Sequence, residues 1–475
     1  MSRLRPLILL CGLLGAGLHT PHGVAQTPNA TEPAAASAAP SPLTAELFYQ
    51  LLLAELQRRN DPGAAYSLVL DAAKRTRLPE LFRRAIEIAL QGRAGNAALA
   101  AARDWRSALP DDDDARRAEL QLLLGLQRVR ETGPVLRDWI RAAPPARRAE
   151  RIGLVPAVYA RVADKTEAVA AARAALEPFL NAPDTAAAAW AALGQVQRMA
   201  GQDTDALQSA RQAIQANPAA APAALLALAL FDADAAAAEP LVQRHLKAVR
   251  QSGGSLDPDV AIAYAQALGE RGRLADGLTV LRDTRGDAEA SRRLRSAEAR
   301  LLRDHDRVAE AYDVLAQALR EAPGDTDLMY ELAMVAERLG RLDEMERLLR
   351  DVIARKPDDA HAYNALGYAL ADRGLRLDEA KTLIQEALRR APDDAYIIDS
   401  LGWVEYRLGN LGEARRLLAD AMQRRPDAEI AAHLGEVLWV SGERDEALAV
   451  WRRGLALDGR NRTLTETLRR LGVQP

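Results

Sequence analysis

The chain has 475 residues, with 63 Lys and Arg against 66 Asp and Glu, a net charge of −3. That balance excludes a general electrostatic pull toward nucleic acid or anionic lipid, and the length exceeds what one compact core serves. Hydrophobic residues make up 49% and aromatics only 4%; Ala, Leu, Arg and Glu dominate, and these are strong helix formers.

The first residues read as a secretory signal. Arg3 and Arg5 supply a positive start, and residues 7–18 form an apolar stretch well short of the roughly 20 residues a membrane span needs. Small residues at Gly23 and Ala25 predict cleavage after Ala25, making 1–25 the signal. Residues 26–42, rich in Ala, Pro, Thr and Ser, are expected to be a disordered tether. The one cysteine, Cys11, follows the large Leu10, whereas a lipoprotein signal needs a small residue there. Cys11 therefore reads as an apolar signal residue rather than a lipidation site. The mature chain would then have no disulfide, thiolate metal site or cysteine nucleophile.

Residues 43–254 are predicted to be degenerate helix pairs at 43–76, 78–110, 112–144 and 146–182, a clear one ending at Pro218, and a loose Ala-rich one at 219–254. Pro62, Pro79, Pro110, Pro134 and Pro144 mark turns or first helical turns. The run Asp111 to Asp114 follows Pro110; it is read as capping and complementing the next helix dipole rather than as a cation site. Arg147-Arg148 and Arg292-Arg293 are read as solvated faces. Ser252-Gly253-Gly254 is the candidate hinge before residues 255–475.

In that second half Pro323, Pro357, Pro392 and Pro426 recur every 34 or 35 residues, a helical-hairpin period. Trp190, Leu193, Gly194, Gly201, Ala206, Ala213 and Pro218 form one copy. Tyr363, Leu366, Gly367, Ala380, Ala387 and Pro392 form another, with an extra residue near Gly374. Leu401, Gly402, Gly409, Ala414, Ala421 and Pro426, then Leu434, Gly435, Leu438, Gly442, Ala447 and Trp451, form two more. Weaker copies cover 257–290, 292–324 and 326–359. Small residues would sit where paired helices cross closely, and the mid-repeat Gly would close the first helix in a left-handed cap. Pro would stop the second helix, and the following Asp358, Asp393 or Asp427 would help start the next. These residues identify tetratricopeptide (TPR) repeats. The predicted fold is an all-α TPR superhelical solenoid of about twelve helix-turn-helix hairpins with a closing helix at 463–471.

No phosphate-binding loop, nucleophile elbow or His-Glu-x-x-His motif is present, and His245, His305, His361 and His433 lack ligand spacing. No catalytic residue, cofactor or metal is expected, and the chain reads as non-enzymatic. Functional surfaces of such solenoids are usually concave and lined by first helices. Counting from the Leu-Gly pairs places Tyr330, Arg338, His361, Asn364, Tyr368, Tyr396, Asp399, Trp403, Tyr406, Arg407, His433 and Trp439 there. Aromatics beside Arg and Asn have the character of protein-binding hot spots; the competing reading makes several of these rings packing residues. A carboxylate clamp is not expected, because Asp399 and Trp403 occupy positions where that clamp wants Lys and Asn.

The chain also resembles proteobacterial envelope TPR adaptors, including an outer-membrane TPR lipoprotein that delivers cell-wall hydrolases to a carboxyl-terminal processing protease. The likeness rests on residues 47–56 (LFYQLLLAEL), 79–85 (PELFRRA), 398–409 (IDSLGWVEYRLG) and 432–439 (AHLGEVLW). The resemblance implies a periplasmic scaffold of a Gram-negative bacterium. It would bind other proteins in its groove and bring substrates to a protease, without nucleic acid or a transmembrane segment. The alternatives are an assembly factor for outer-membrane proteins, pili or polysaccharide export, and, more remotely, a cell-wall enzyme with an unrecognised site.

Overall fold

The computed structural model describes residues 44–475; the expected signal, Cys11 and the tether lie outside the described residues. The described chain is helical throughout, without a strand, and falls into two units, ending at Pro110 and beginning at Asp111.

The first unit holds four helices, Ala45–Gln57, Pro62–Thr76, Pro79–Gln91 and Gly95–Ala108. Their starts follow from local chemistry. Thr44 Oγ1 accepts from the Leu47 amide at 3.1 Å and Asp61 Oδ1 from the Ala64 amide at 2.9 Å, satisfying amides that a helix start leaves unpaired. Pro62 and Pro79 occupy first-turn positions, where a missing N–H costs nothing. Phe82 and Trp105 stack in the core, with ring centroids 6.1 Å apart.

The second unit continues the pairing. From Ala186 the pairs are Ala186–Met199 with Asp203–Ala216, Ala221–Ala229 with Phe231–Gln251, Pro258–Glu270 with Leu274–Asp283, and Ala288–Asp304 with Val308–Glu321. Then come Thr326–Arg338 with Leu342–Arg355, Ala360–Asp372 with Leu377–Arg390, Ala395–Arg407 with Leu411–Arg424, and Ala428–Val440 with Arg444–Leu457. Arg462–Leu471 closes the array.

Two pairs are irregular. The expected pair at 146–182 is broken into Pro145–Gly153, Val155–Tyr159 and Lys165–Leu176. The buried Tyr159 hydroxyl, 2.9 Å from Thr132 Oγ1, anchors that break, and burial pushes its pKa up to about 12. The Ala-rich segment is helical, but Asp234 leaves helical geometry and restarts the helix by accepting from the Ala237 amide at 3.0 Å. The candidate hinge Ser252-Gly253-Gly254 is the loop before Pro258–Glu270.

The repeat residues act as their types predict. Gly409 and Gly442 end first helices with φ of 87° and 88°, a region hostile to residues with a Cβ. A Cβ on Gly402 would lie 2.7 Å from Leu418 Cγ, so this glycine sets how closely the paired helices approach. The extra residue after Gly374 is absorbed by a second left-handed residue, Arg376, with φ 45°.

The Pro-Asp reading needs one correction. The caps are Asp359 and Asp394, not Asp358 and Asp393; only after Pro426 does the adjacent Asp427 cap the helix. One extra residue between Pro and cap lets the side chain reach the amides two and three positions on, as Asp359 does for His361 and Ala362.

The acidic run behaves as a cap: Asp112 accepts from the Asp114 amide at 2.8 Å, and Asp113 pairs with Arg116 and Arg151. In the basic pairs Arg147 meets Glu150, Arg292 meets Glu289 and Arg293 meets Asp259, while Arg148 donates to Ala143 O at 3.3 Å. Along the second helices, ion pairs bridge successive repeats: Arg350 to Glu379, Arg376 to Glu346, and Arg415 to Glu443 and Glu446.

Candidate protein-binding surface

From Ala360 onward the first helices pack on one another in series, Ala360–Asp372 on Ala395–Arg407, that helix on Ala428–Val440, and that one on Arg462–Leu471. Each corresponding second helix lies between the first helix of its own pair and that of the next, and ion pairs link it to the neighbouring second helix. The first-helix layer carries most of the predicted surface.

Its centre is a buried polar cluster. His433 is 1% exposed, Asp399 4% and Trp403 5%. His433 Nδ1 lies 3.0 Å from both carboxylate oxygens of Asp399. Its Nε2 is 3.4 Å from the Tyr368 hydroxyl, which donates to Glu429 Oε1 at 3.4 Å. Trp403 stacks on the imidazole with centroids 4.3 Å apart, and its indole N–H donates to Asp372 Oδ1 at 3.3 Å. Thr463, on the closing helix, donates to Glu429 at 3.3 Å. With His433 protonated, both ring nitrogens donate, one to a carboxylate and one to a phenol oxygen, so every group has a partner.

The electrostatics follow from this packing. Burial opposes charge on His433, but the Asp399 carboxylate, with Glu429 and Asp372, outweighs it and holds the imidazole pKa above its ordinary value. Burial raises the Glu429 pKa, with Asp399 and Asp427 adding to it against His433. Burial, then Glu429, Asp372 and Asp399, pushes the Tyr368 phenol far up. Beside this cluster, Tyr406 donates to Glu436 Oε1 at 3.1 Å, and its pKa is pushed up to about 12, first by burial and then by that carboxylate. Arg470 also donates to Glu436.

The twelve predicted residues thus divide. Asp399, Trp403 and His433 are not exposed contacts. They pack between first helices, Asp399 bonding to and Trp403 stacking on His433 of the next one. Tyr330, Tyr368, Tyr406, Arg407 and Trp439 are half-buried, Tyr406 and Arg407 against the same cluster. Trp439 packs on Trp451 under the Arg444 guanidinium. Asn364 is half-buried with no hydrogen-bond partner for its Oδ1. Arg338, His361 and Tyr396 are exposed, and Arg425 lies over the Tyr396 ring.

Next to the cluster is a half-open cavity of about 440 Å³, walled by Tyr368, Asp372, Trp403 and His433 on one side and by Glu466 and Arg470 of the closing helix on the other. Sequence reasoning missed Asp372, Glu429, Glu436 and the closing-helix residues. Helical spacing could have found two of them, since Asp372 follows Tyr368 by four and Glu429 precedes His433 by four. Among the described residues no His, Cys, Asp and Glu group of three or more has metal-holding geometry, and no helix is long and apolar enough to cross a membrane.

Two family models, each described as tetratricopeptide repeat, match residues 302–368 and 400–461. A TPR repeat-containing protein of Pseudomonas aeruginosa is 40% identical over 139 residues, which is 29% of this chain and 24% of that protein. The match therefore spans about a quarter of that relative's length. Among solved structures, a thermophilic TPR protein of Thermus thermophilus is similar at 24% identity and a TM-score of 0.35, covering 38% of this chain and 100% of its own. Yeast Tom70 is similar at 13% identity and a TM-score of 0.41, covering 90% and 94%. TPR repeats generally mediate protein–protein interaction. The helix pairs, their glycine and proline punctuation and the two matched stretches together show that this chain carries tetratricopeptide repeats in an all-α solenoid fold.

Proposed function

We propose that this protein is a non-enzymatic scaffold of the periplasm of a Gram-negative bacterium, and that the first-helix layer of its C-terminal repeats holds partner proteins. The most concrete form is an adaptor that brings substrates such as cell-wall hydrolases to a periplasmic protease. The observation that carries the reading is the cavity between Tyr368, Asp372 and Arg470. It is half-open, edged by charged side chains of both signs, and floored by the fully hydrogen-bonded His433 cluster. A rigid floor lowers the ordering cost of binding, and mixed polar edges favour specificity over raw affinity. Arg338, His361 and Tyr396, on first helices of the same half, are exposed.

The test is in-cell photo-crosslinking from positions 338, 361 and 396, with the trapped proteins identified by mass spectrometry. A protease together with cell-wall enzymes is the expected catch. Recovery of outer-membrane assembly, pilus or polysaccharide-export subunits would instead make the chain an assembly factor. Peptidoglycan turnover by the purified protein would overturn the non-enzymatic reading.

A further inference from the structure

The cavity beside the His433 cluster carries two oriented polar groups whose bonding capacity is not filled. Asp372 ends the Ala360–Asp372 helix and is exposed at the rim. Its Oδ1 accepts the Trp403 indole N–H at 3.3 Å, which fixes the carboxylate, while its Oδ2 has no partner among the described residues. Arg407 is close by but donates to the Asp372 backbone carbonyl. On the opposite wall, Thr467 of the closing helix is only 6% exposed, yet its hydroxyl has no hydrogen-bond partner among the described residues. Hydroxyls buried to that degree are usually paired, so one left open on a cavity wall marks where a ligand atom can sit. The neighbouring charges are mostly engaged: Glu466 pairs with Arg462, and Arg470 with Glu436. Arg469 has no carboxylate partner among the described residues, but it is exposed on a long stem with nothing to hold it in place.

We propose that this cavity receives the side chain of a lysine or arginine of the partner protein, its cation on Asp372 and the Thr467 hydroxyl as a second acceptor. This rests on the scaffold reading above and names the chemistry by which the scaffold would recognise its partner. The volume of about 440 Å³ suits a long side chain with part of its backbone. The surroundings favour a cation. After burial, it is Glu429, Asp372, Asp399 and Glu337 that push the Tyr368 phenol pKa up, so carboxylates dominate the field at this wall. His433, when protonated, is already paired with Asp399. The half-buried Tyr368 ring, one turn before Asp372, offers apolar contact to the methylene stem. A bond from an ammonium or guanidinium to a carboxylate is charge-assisted, and an acceptor already held in place lowers the ordering cost. An acidic side chain would meet Asp372 as a like charge and would have only the unfixed Arg469 to hold it.

Titration of the full chain with N-acetyl-arginine amide and N-acetyl-lysine amide tests this, read at the Trp403 indole N–H resonance because that proton is bonded to Asp372. The expected result is a saturable shift with a Kd on the order of millimolar. The neutral counterparts, N-acetyl-citrulline amide and N-acetyl-norleucine amide, should bind at least about tenfold more weakly. Asp372→Asn keeps an acceptor for the indole and should weaken the cations by a similar factor. Thr467→Val should weaken them about two- to fivefold while leaving the thermal melt unchanged or raised, since the hydroxyl has no bond to lose. No shift with either cation, citrulline binding as well as arginine, N-acetyl-glutamate amide binding in their place, or full cation affinity in Asp372→Asn would each overturn the proposal. The crosslinking experiment above separates this from the scaffold reading. Partners trapped equally by the native and Asp372→Asn chains would overturn the basic side-chain proposal and leave the scaffold standing. Cation binding by a chain that traps no protein would overturn the scaffold and leave the cavity's preference for a cation intact.

Discussion

Replacing Asp399 with Asn keeps the shape of the buried cluster and removes its charge. In the native chain His433 is fully enclosed, bonded through Nδ1 to Asp399 and stacked on Trp403. Its pKa is raised in the folded state. A raised folded pKa means that protonated His433 contributes stability in full below the unfolded value of about 6.5, and that this contribution fades as pH rises through the folded pKa. Glu429, also raised, acts in the same direction above the ordinary carboxylate range. The native C-terminal repeats should therefore be more stable at about pH 6 than at about pH 9 with respect to these groups. Without the Asp399 charge, burial dominates and His433 is driven neutral. Breaking a buried pair costs about 3–5 kcal/mol, and that cost should be largest near pH 6 and smaller near pH 9, because the protonated pair loses its advantage over the unfolded chain as pH rises above the unfolded value. Urea unfolding at the two pH values measures the difference. Equal destabilisation at both pH values, or native stability that rises from pH 6 to 9, would refute the charged-pair account.

Two further substitutions bear on the packing. Gly435→Ala puts a Cβ within 2.5 Å of Trp451 Cδ1 and Cε2 and disturbs an indole that donates to Ala432 O at 3.3 Å. Overpacking and the weakened bond, offset by the better helix propensity of Ala, should leave about 1–3 kcal/mol of destabilisation in chemical denaturation. Trp403→Ala should cost about 3–5 kcal/mol because the ring is buried, so a loss of partner binding in that variant has to be read beside its thermal melt. Tyr396→Ala, at an exposed position, should cost at most about 1 kcal/mol, the loss of the Arg425 and Asp427 contacts.

The repeat architecture was legible because its markers are steric. Gly402 and Gly435 stand where no Cβ fits, Gly409 and Gly442 where φ is positive, and Pro357 and Pro392 just beyond second helices. Such constraints act through near neighbours and survive as a fixed period. The caps were misplaced by one residue at Asp358 and Asp393 because two adjacent aspartates carry the same local signal, and only the turn geometry chooses between them. The surface was less legible for a related reason. Period places a residue on a first helix, but whether it meets water depends on the neighbouring first helix and on Arg462–Leu471. Asp399 and His433 lie 34 residues apart and are buried against each other, a pairing that neither repeat shows alone. The broken pair at 145–176 shows the opposite limit: its Tyr159 is tied to Thr132 of the preceding helix, 27 residues away, with no periodic trace.

The inter-repeat ion pairs along the second helices have a mechanical consequence. Arg350, Arg376 and Arg415 each tie one repeat to the next through partly exposed contacts. Pairs of this kind add little to net stability, but they join neighbouring second helices, so their spacing bears on how one repeat sits on the next. Screening them with salt leaves the buried hairpin cores intact and makes the array more compliant. The solenoid then behaves as a spring whose stiffness is set by the ionic strength around it.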